Sequence, residues 1–267
     1  MKVWKKWALF FLFFVLAERF CYSQTEGFTP SKIISSKMQL DSALKPQESF
    51  YFLGSGKQFY AFESEDGKAV IKFIKQSRRK PLPWLAKLPL PSPLSHMRDS
   101  YLQKRGKRLS ELLACCKLAS EELREETGII ADHLERTSES RVVTLIDKLG
   151  IAHTINIAQT QFLIQKKADL LTSSISEGQI DGMIELISAI SLKGIVNLDP
   201  RLKANFGMMD GKMLLIDCGS LKKDPRVAFH PYFQRALFLQ LLSLREYLQN
   251  NQPEYVAYFD TQIQKAL

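Results

Sequence analysis

The stretch Asn197-Leu198-Asp199-Pro200-Arg201-Leu202-Lys203-Ala204-Asn205-Phe206-Gly207 runs through Met208-Met209-Asp210-Gly211 into Lys212-Met213-Leu214-Leu215-Ile216-Asp217-Cys218-Gly219. Asp-Gly is a dipeptide favoured in two-residue hairpin turns, where both positions take positive φ. Residues 205–209 and 212–216 are therefore predicted as two antiparallel strands. Asp199 then lies in the loop before the hairpin, Asn205 opens the first strand, and Asp217 closes the second. Two carboxylates and one amide oxygen at the mouth of one hairpin suit divalent-metal phosphate chemistry, which needs hard oxygen ligands and a group to accept or orient a hydroxyl proton.

Upstream, Phe50–Leu53, Gln58–Glu63 and Ala69–Ile74 alternate like strands, separated by Gly54-Ser55-Gly56 and by Glu65-Asp66-Gly67. They read as a three-stranded antiparallel meander. Residues 76–108 hold five of the eleven prolines and read as an insert or long connection. Leu109 to Thr127 is predicted as a helix burying Leu112, Cys116, Ala119 and Leu123, with Gly128 as its stop. Short strands are expected at Val142–Ile146 and Gln161–Gln165, a helix at 179–192, and two amphipathic helices at 231–249 and 253–266.

Lys72 interrupts Ala69-Val70-Ile71-Lys72-Phe73, an otherwise core-type strand. An ammonium buried there needs an anionic partner, because burying it alone costs several kcal/mol; alternatively, alternation turns it to solvent. The loop Leu53-Gly54-Ser55-Gly56, with Phe59 where a third glycine would stand, reads either as a plain turn or as a cover for phosphates. Gly56-Lys57 is no P-loop, since no Ser or Thr follows.

Together these residues resemble the protein-kinase-like superfamily, over about 50–219. Ala69-Val70-Ile71-Lys72 looks like its nucleotide-binding strand, 197–205 like a shortened catalytic loop, and Asp217-Cys218-Gly219 like the metal-binding Asp-Phe-Gly. The chain is also similar to kinase-like proteins of Chlamydia-type bacteria. The resemblance implies an α+β, two-lobed fold: an antiparallel β-rich N-lobe with one main helix over 45–165, and a reduced helical C-lobe over 166–267. It implies ATP and Mg2+. Gly54 and Gly56 would cover the phosphates and Lys72 would contact the α and β phosphates. Asp199 would orient the acceptor hydroxyl, and Asn205 and Asp217 would hold the metal. Gln165 and Lys166 would begin the hinge, reaching to Ala168, that meets adenine through its backbone.

The departures are specific. The catalytic His-Arg-Asp is Asn197-Leu198-Asp199, and Asn205 follows Asp199 by one residue more than usual. Arg201 stands where a Lys is customary, with Lys203 as its substitute. Cys218 replaces Phe, and only residues 220–267 follow Gly219, with no Ala-Pro-Glu. This shortening tells against protein substrates more than against nucleotide. A catalytically inactive kinase-like scaffold is thus an alternative to an enzyme.

The partner of Lys72 is expected among Glu111, Glu121, Glu122, Glu125 and Glu126, with Glu122 favoured because it flanks the apolar face of the helix. The same segment, Glu121-Glu122-Leu123-Arg124-Glu125-Glu126-Thr127-Gly128, looks like the second half of a Nudix box and supports a rival diphosphate hydrolase. Lys107 and Leu113, however, stand where that box needs Gly and Glu.

At 267 residues, 45% apolar and 24% charged, the chain is globular. Four cysteines do not make a disulfide scaffold, and His96, His133, His153 and His230 are too scattered for a zinc site. The net charge of +9 has two sources. Residues 1–23 place Lys2, Lys5 and Lys6 before the apolar run Trp7–Ala17, the order of a secretory signal peptide or short membrane anchor. Export would carry the domain away from ATP unless it is delivered to a compartment that holds ATP, such as a host cell. Residues 78–108 set nine Lys and Arg against Asp99 and interleave them with Trp84 and leucines, which suits an anionic membrane surface. With no nucleic-acid fold beside the patch, nucleic acid is set aside as a partner.

Overall fold

The computed structural model describes every residue except 1–2, 35–47, 77–82, 136, 138–140 and 200; side chains 3–6, 8, 83–84 and 203–204 are likewise undescribed. In chain order, α1 (Val3–Thr25) precedes β1 (Ser49–Ser55), β2 (Phe59–Ser64) and β3 (Ala69–Ile74). Next come α2 (Pro83–Ala86), α3 (Ser92–Glu122), α4 (Arg124–Thr127), β4 (Ile129–His133), β5 (Val142–Ile146), β6 (Ala152–Asn156), β7 (Phe162–Lys166) and β8 (Asp169–Leu170). The remainder is α5 (Glu177–Leu192), β9 (Ile195–Asn197), α6 (Leu202–Asn205), β10 (Phe206–Met209), β11 (Lys212–Leu215), β12 (Leu221–Lys223), α7 (Tyr232–Asn251) and α8 (Val256–Ala266). The fold is α+β. It divides into two compact units, 1–80 with 135–162, and 81–134 with 163–267.

In the first unit the expected meander is present, with β1, β2 and β3 antiparallel and a bulge in β1 between Phe52 and Gly54. β5 joins parallel to β1, pairing Phe50 with Leu145, and β6 returns antiparallel to β5. Alternation predicts strands but not which neighbours they take, so the parallel pairing and β6 were not expected. Phe28, Phe62, Phe73 and Phe162 stack edge-on or tilted in succession, with centroids 5.0–6.0 Å apart, which adds about 0.5–1.5 kcal/mol per pair to area burial. Tyr60 donates to the Gly27 carbonyl at 2.6 Å and pins the chain after α1 to the sheet.

In the second unit α3 starts at Ser92, not Leu109. The described part of the expected loop is therefore largely helix. Prolines misled the reading: Pro83 and Pro93 occupy first turns, where a missing N–H costs nothing and the fixed φ is already helical. The buried face is as expected, with Leu112, Cys116, Ala119 and Leu123 at most 2% exposed. Leu123 breaks the helix, and Gly128 ends α4 at φ 66°, a left-handed conformation that suits glycine. The segment 81–134 groups with 163–267 in this unit. Cys115 donates to the Leu221 carbonyl, and Lys193 reaches the Glu122 carbonyl, which ties α3 to this unit.

The predicted hairpin forms β10 and β11, with Asp210 at φ 48° and Gly211 at φ 75° in its turn. β8 adds a third strand along β10. A Cβ at Gly207 would come within 2.9 Å of the Asp169 carbonyl oxygen and 3.1 Å of Ala168 Cβ, so glycine permits this close pairing. A full capping box at Ser176 and Gln179 starts α5, and the bidentate Arg245–Asp260 pair links α7 to α8.

Gly207→Ala should force β8 away from β10. The expected loss is about 1–3 kcal/mol of unfolding free energy, read as a lowered urea midpoint.

Candidate functional site

In the second unit β9 leads into the loop that carries Asp199. The Asn197 side chain closes on that loop twice, accepting from the Asp199 N–H at 3.1 Å and donating to the Asp199 carbonyl at 3.2 Å. The Asn197 N–H is itself held at 2.8 Å by Gln240 Oε1, from the buried stripe of α7. Asn197 occupies the place of the customary histidine and acts as a backbone brace.

Asn205 is 1% exposed at the end of α6, the single turn that takes up the longer Asp199–Asn205 spacing. Its Nδ2 donates to the Asp199 carbonyl, and its own carbonyl accepts the N–H of Ile216 at 2.8 Å. One buried amide residue therefore joins the loop to the residue before Asp217. Its Oδ1 is buried with no hydrogen-bond partner. Such an orphan costs about 1–3 kcal/mol unless something meets it. Asp217 Oδ1 accepts from the Gly219 N–H at 3.0 Å. A buried amide oxygen without a partner, on a residue bonded to the one before Asp217, fits the chemistry of a hard divalent cation of the Mg2+ type, for which Asn205 and Asp217 would be the ligands.

The Asp199 carboxylate is gripped in a two-pronged pair by Arg201, Nε and Nη2 each at 2.7 Å. Arg201 is thus the cation that this loop sets on the Asp199 carboxylate. Pro200 and the side chain of Lys203 lie outside the described residues. Cys218 is 1% exposed. Its hydrogen bond to Cys116, together with burial, pushes the Cys116 thiol well above its ordinary value. The Cys116 and Cys218 side chains thus pack together in the interior of this unit.

The glutamates of α3 and α4 meet lysines of their own unit. Glu122 pairs with Lys223, Glu126 with Lys193 at 2.6 Å, and Glu121 with Lys117 at 3.8 Å. Glu126 is the more buried of the first two, its side chain 10% exposed and its Oε2 without a partner. The helical-wheel argument could not separate it from Glu122, because the break at Leu123 comes between them. Among the described residues no three His, Cys, Asp or Glu side chains cluster to hold a metal. Gln165 is buried and donates to the Thr127 carbonyl at 2.8 Å, while the Lys166 N–H is taken by the Gly128 carbonyl.

In the first unit Lys72 is half-buried on β3 opposite Ala61. The residue that holds the glycine loop is Lys75, which the sequence reading missed. It is 4% exposed and donates at 2.6 Å to both Ser55 Oγ and the Gly56 carbonyl, 4.0 Å above the Tyr60 ring. A Cβ at Gly54 would meet nothing within 4 Å, and one at Gly56 only the Phe59 carbonyl at 4.0 Å. Neither glycine is demanded by packing. The space above them suits a ligand approaching the backbone.

No protein-family model matches the chain, and no curated protein matches it. Among solved structures it is similar to WbdD, a bifunctional kinase-methyltransferase, with a TM-score of 0.40, 13% identity, and 80% of this chain and 46% of that one covered. It is similar to the Legionella pneumophila Lpg2603 kinase bound to IP6, with a TM-score of 0.33 and 12% identity over 73% of this chain and 58% of that one. It is also similar to the ROP18 kinase domain in complex with AMP-PNP and sucrose, with a TM-score of 0.34 and 18% identity over 64% and 51%. The chain spans about half the length of these structures.

Lys75→Met should free the 54–56 loop. It should cost about 1–3 kcal/mol in chemical denaturation through the acceptors left unpaired. Gly54→Ala and Gly56→Ala should leave stability within about 1 kcal/mol of wild type or raise it.

Proposed function

We propose that this chain is a kinase-like phosphotransferase that uses ATP and Mg2+ to phosphorylate a hydroxyl acceptor, in keeping with the kinase-like proteins of Chlamydia-type bacteria it resembles. The observation that carries the reading is Asn205, whose backbone and side chain join the Asp199 loop to Ile216 while its Oδ1 is left for a ligand. In this reading Asn205 and Asp217 hold the cation, which neutralises charge on the transferring phosphates. By the resemblance in sequence, Lys72 is assigned to the α and β phosphates, Gly54 and Gly56 to their cover, and the 165–168 backbone to the base. The acceptor hydroxyl gives its proton to Asp199 as its oxygen bonds the γ-phosphorus. The bond from that phosphorus to the bridging oxygen breaks, and ADP leaves with the electron pair. Lys203 is assigned to the charge that develops during transfer, and Arg201 must first release Asp199.

One observation favours a second reading, a kinase-like scaffold that transfers no phosphate. The Arg201 guanidinium already occupies both oxygens of Asp199, the carboxylate that should accept the proton.

The amino terminus is proposed as a signal or short anchor that exports the domain, including to a host cell. Phe10, Phe11, Phe13 and Phe14 of α1 are each more than half exposed, which supports a segment made for an apolar environment. Among the described residues no helix is long and apolar enough to cross a membrane. The basic exposed start of α3, with Leu94, Met97 and Tyr101 at the surface, supports contact with an anionic membrane.

ATP with Mg2+ should raise the melting temperature by several degrees. Asp217→Ala should abolish the metal-dependent part and Asp199→Asn should keep it, while phosphate transfer is lost in both. A shift absent in every condition sinks the phosphotransferase reading. A shift present with no transfer to any hydroxyl compound leaves the scaffold. An alkaline phosphatase reporter fused after residue 30 should be active outside the cytoplasm; retention in the cytoplasm removes the export reading.

A further inference from the structure

Within the second unit, lined in part by Asn197 and Leu198, which lead to Asp199, lies a cavity of about 460 Å³, inside the range of about 300–1,000 Å³ typical of small-molecule sites. Val196 and Leu198 line one side of it, and Leu198 directly precedes the proposed proton acceptor in the chain. Val227, Ala236 and Leu239 line it from the segment before α7 and from α7 itself. The polar groups at its base are already matched: Gln240 gives its Oε1 to the Asn197 N–H and its Nε2 to Ser191 at 3.2 Å. What remains for a ligand is an apolar interior.

The rim differs in character. Arg226 is neutralised by Asp224 through two contacts of 2.7 and 2.8 Å and lies 5.8 Å from the Tyr232 ring. Arg235, one turn into α7, lines the same cavity and makes no ion pair among the described residues. An unpaired guanidinium at the lip of an apolar hollow suits an anion attached to an apolar body. The walls also expose apolar surface that a monomer does not need to show. Leu198 is 65% exposed, Leu239 52% and Tyr232 51%.

We propose that this cavity binds a small amphipathic anion, its apolar body against Leu198, Val227 and Leu239 and its phosphate or carboxylate on Arg235. Resting on the phosphotransfer reading, the hydroxyl acceptor is a molecule of this class, seated so that its hydroxyl reaches Asp199. A concave site of this volume is in the range that small-molecule ligands fill.

Octyl phosphate supplies both features without a hydroxyl. Titrated below its micellar concentration into the full chain and followed by calorimetry, it should bind saturably at one site. Octanol and inorganic phosphate should each bind at least tenfold more weakly. Arg235→Gln should weaken octyl phosphate at least tenfold and leave octanol unchanged. Leu239→Glu, at an exposed position the fold tolerates, should weaken it similarly. Both variants should keep the melting-temperature shift with ATP and Mg2+. No saturable binding, equal binding of octanol, or indifference to Arg235→Gln overturns the site. So does binding that appears only with phosphatidylglycerol vesicles, which would make this face a membrane-docking surface. Loss of the nucleotide shift in the wild type with octyl phosphate binding intact would fell the phosphotransfer reading and the acceptor role, and leave the anion site standing.

Discussion

The second unit depends on the burial of Asn205. A carboxamide 1% exposed needs partners inside the protein, and it finds them for all but its Oδ1 by joining two parts of the chain. The Asn205 N–H donates to Arg201, its Nδ2 to Asp199, and its carbonyl receives the Ile216 N–H. These contacts hold the loop, the hairpin and the Asp217 turn in one register. Leu202, Phe206 and Leu215, all buried around it, exclude the water that would otherwise compete. The leftover Oδ1 is a local cost that packing of this unit sustains, the arrangement expected where a binding group is held ready for a partner.

The first unit solves a related problem with a charge. Lys75 takes an ammonium to 4% exposure, which is tolerable only with several acceptors and a polarisable face nearby. Ser55, the Gly56 carbonyl and the Tyr60 ring supply them. The glycine loop is consequently held from beneath, by a side chain, and its upper surface is left to backbone. Glycines at 54 and 56 keep that surface low, since a Cβ at either position would project into open space.

Much of this was legible where one local signal decides the outcome. Asp210-Gly211 dictates its turn because only positive φ at both positions matches the strand twist, and the hairpin formed around it. The buried face of α3 followed from helical spacing because all four residues lie on one stripe. Features that depend on tertiary partners were not legible. Prolines read as loop were first-turn residues of α2 and α3, since nothing local distinguishes a proline that ends a segment from one that begins a helix. β5 pairs parallel to β1 across a long stretch of chain. Gln240 carried a signal that could have been used, a glutamine on the Ala236, Leu237, Leu241, Leu244 stripe of α7. A polar residue there must have a buried partner, and that partner is the N–H of Asn197.

The Arg201–Asp199 pair bears on both functional readings, and its energetics separate it from the buried groups around it. The two side chains are 52% and 31% exposed, so the ions keep much of their hydration. Exposed pairs are worth about 0–1 kcal/mol, and the two-pronged geometry places this one toward the upper end of that range. A phosphate-bearing ligand offers Arg201 a stronger partner, because charge-assisted bidentate contacts to phosphate match the guanidinium fork. Releasing Asp199 therefore costs little when phosphate is present, and the closed pair is not by itself a mark of inactivity. The groups that are expensive to move, Asn197 and Asn205, brace the backbone and leave the carboxylate to change partners.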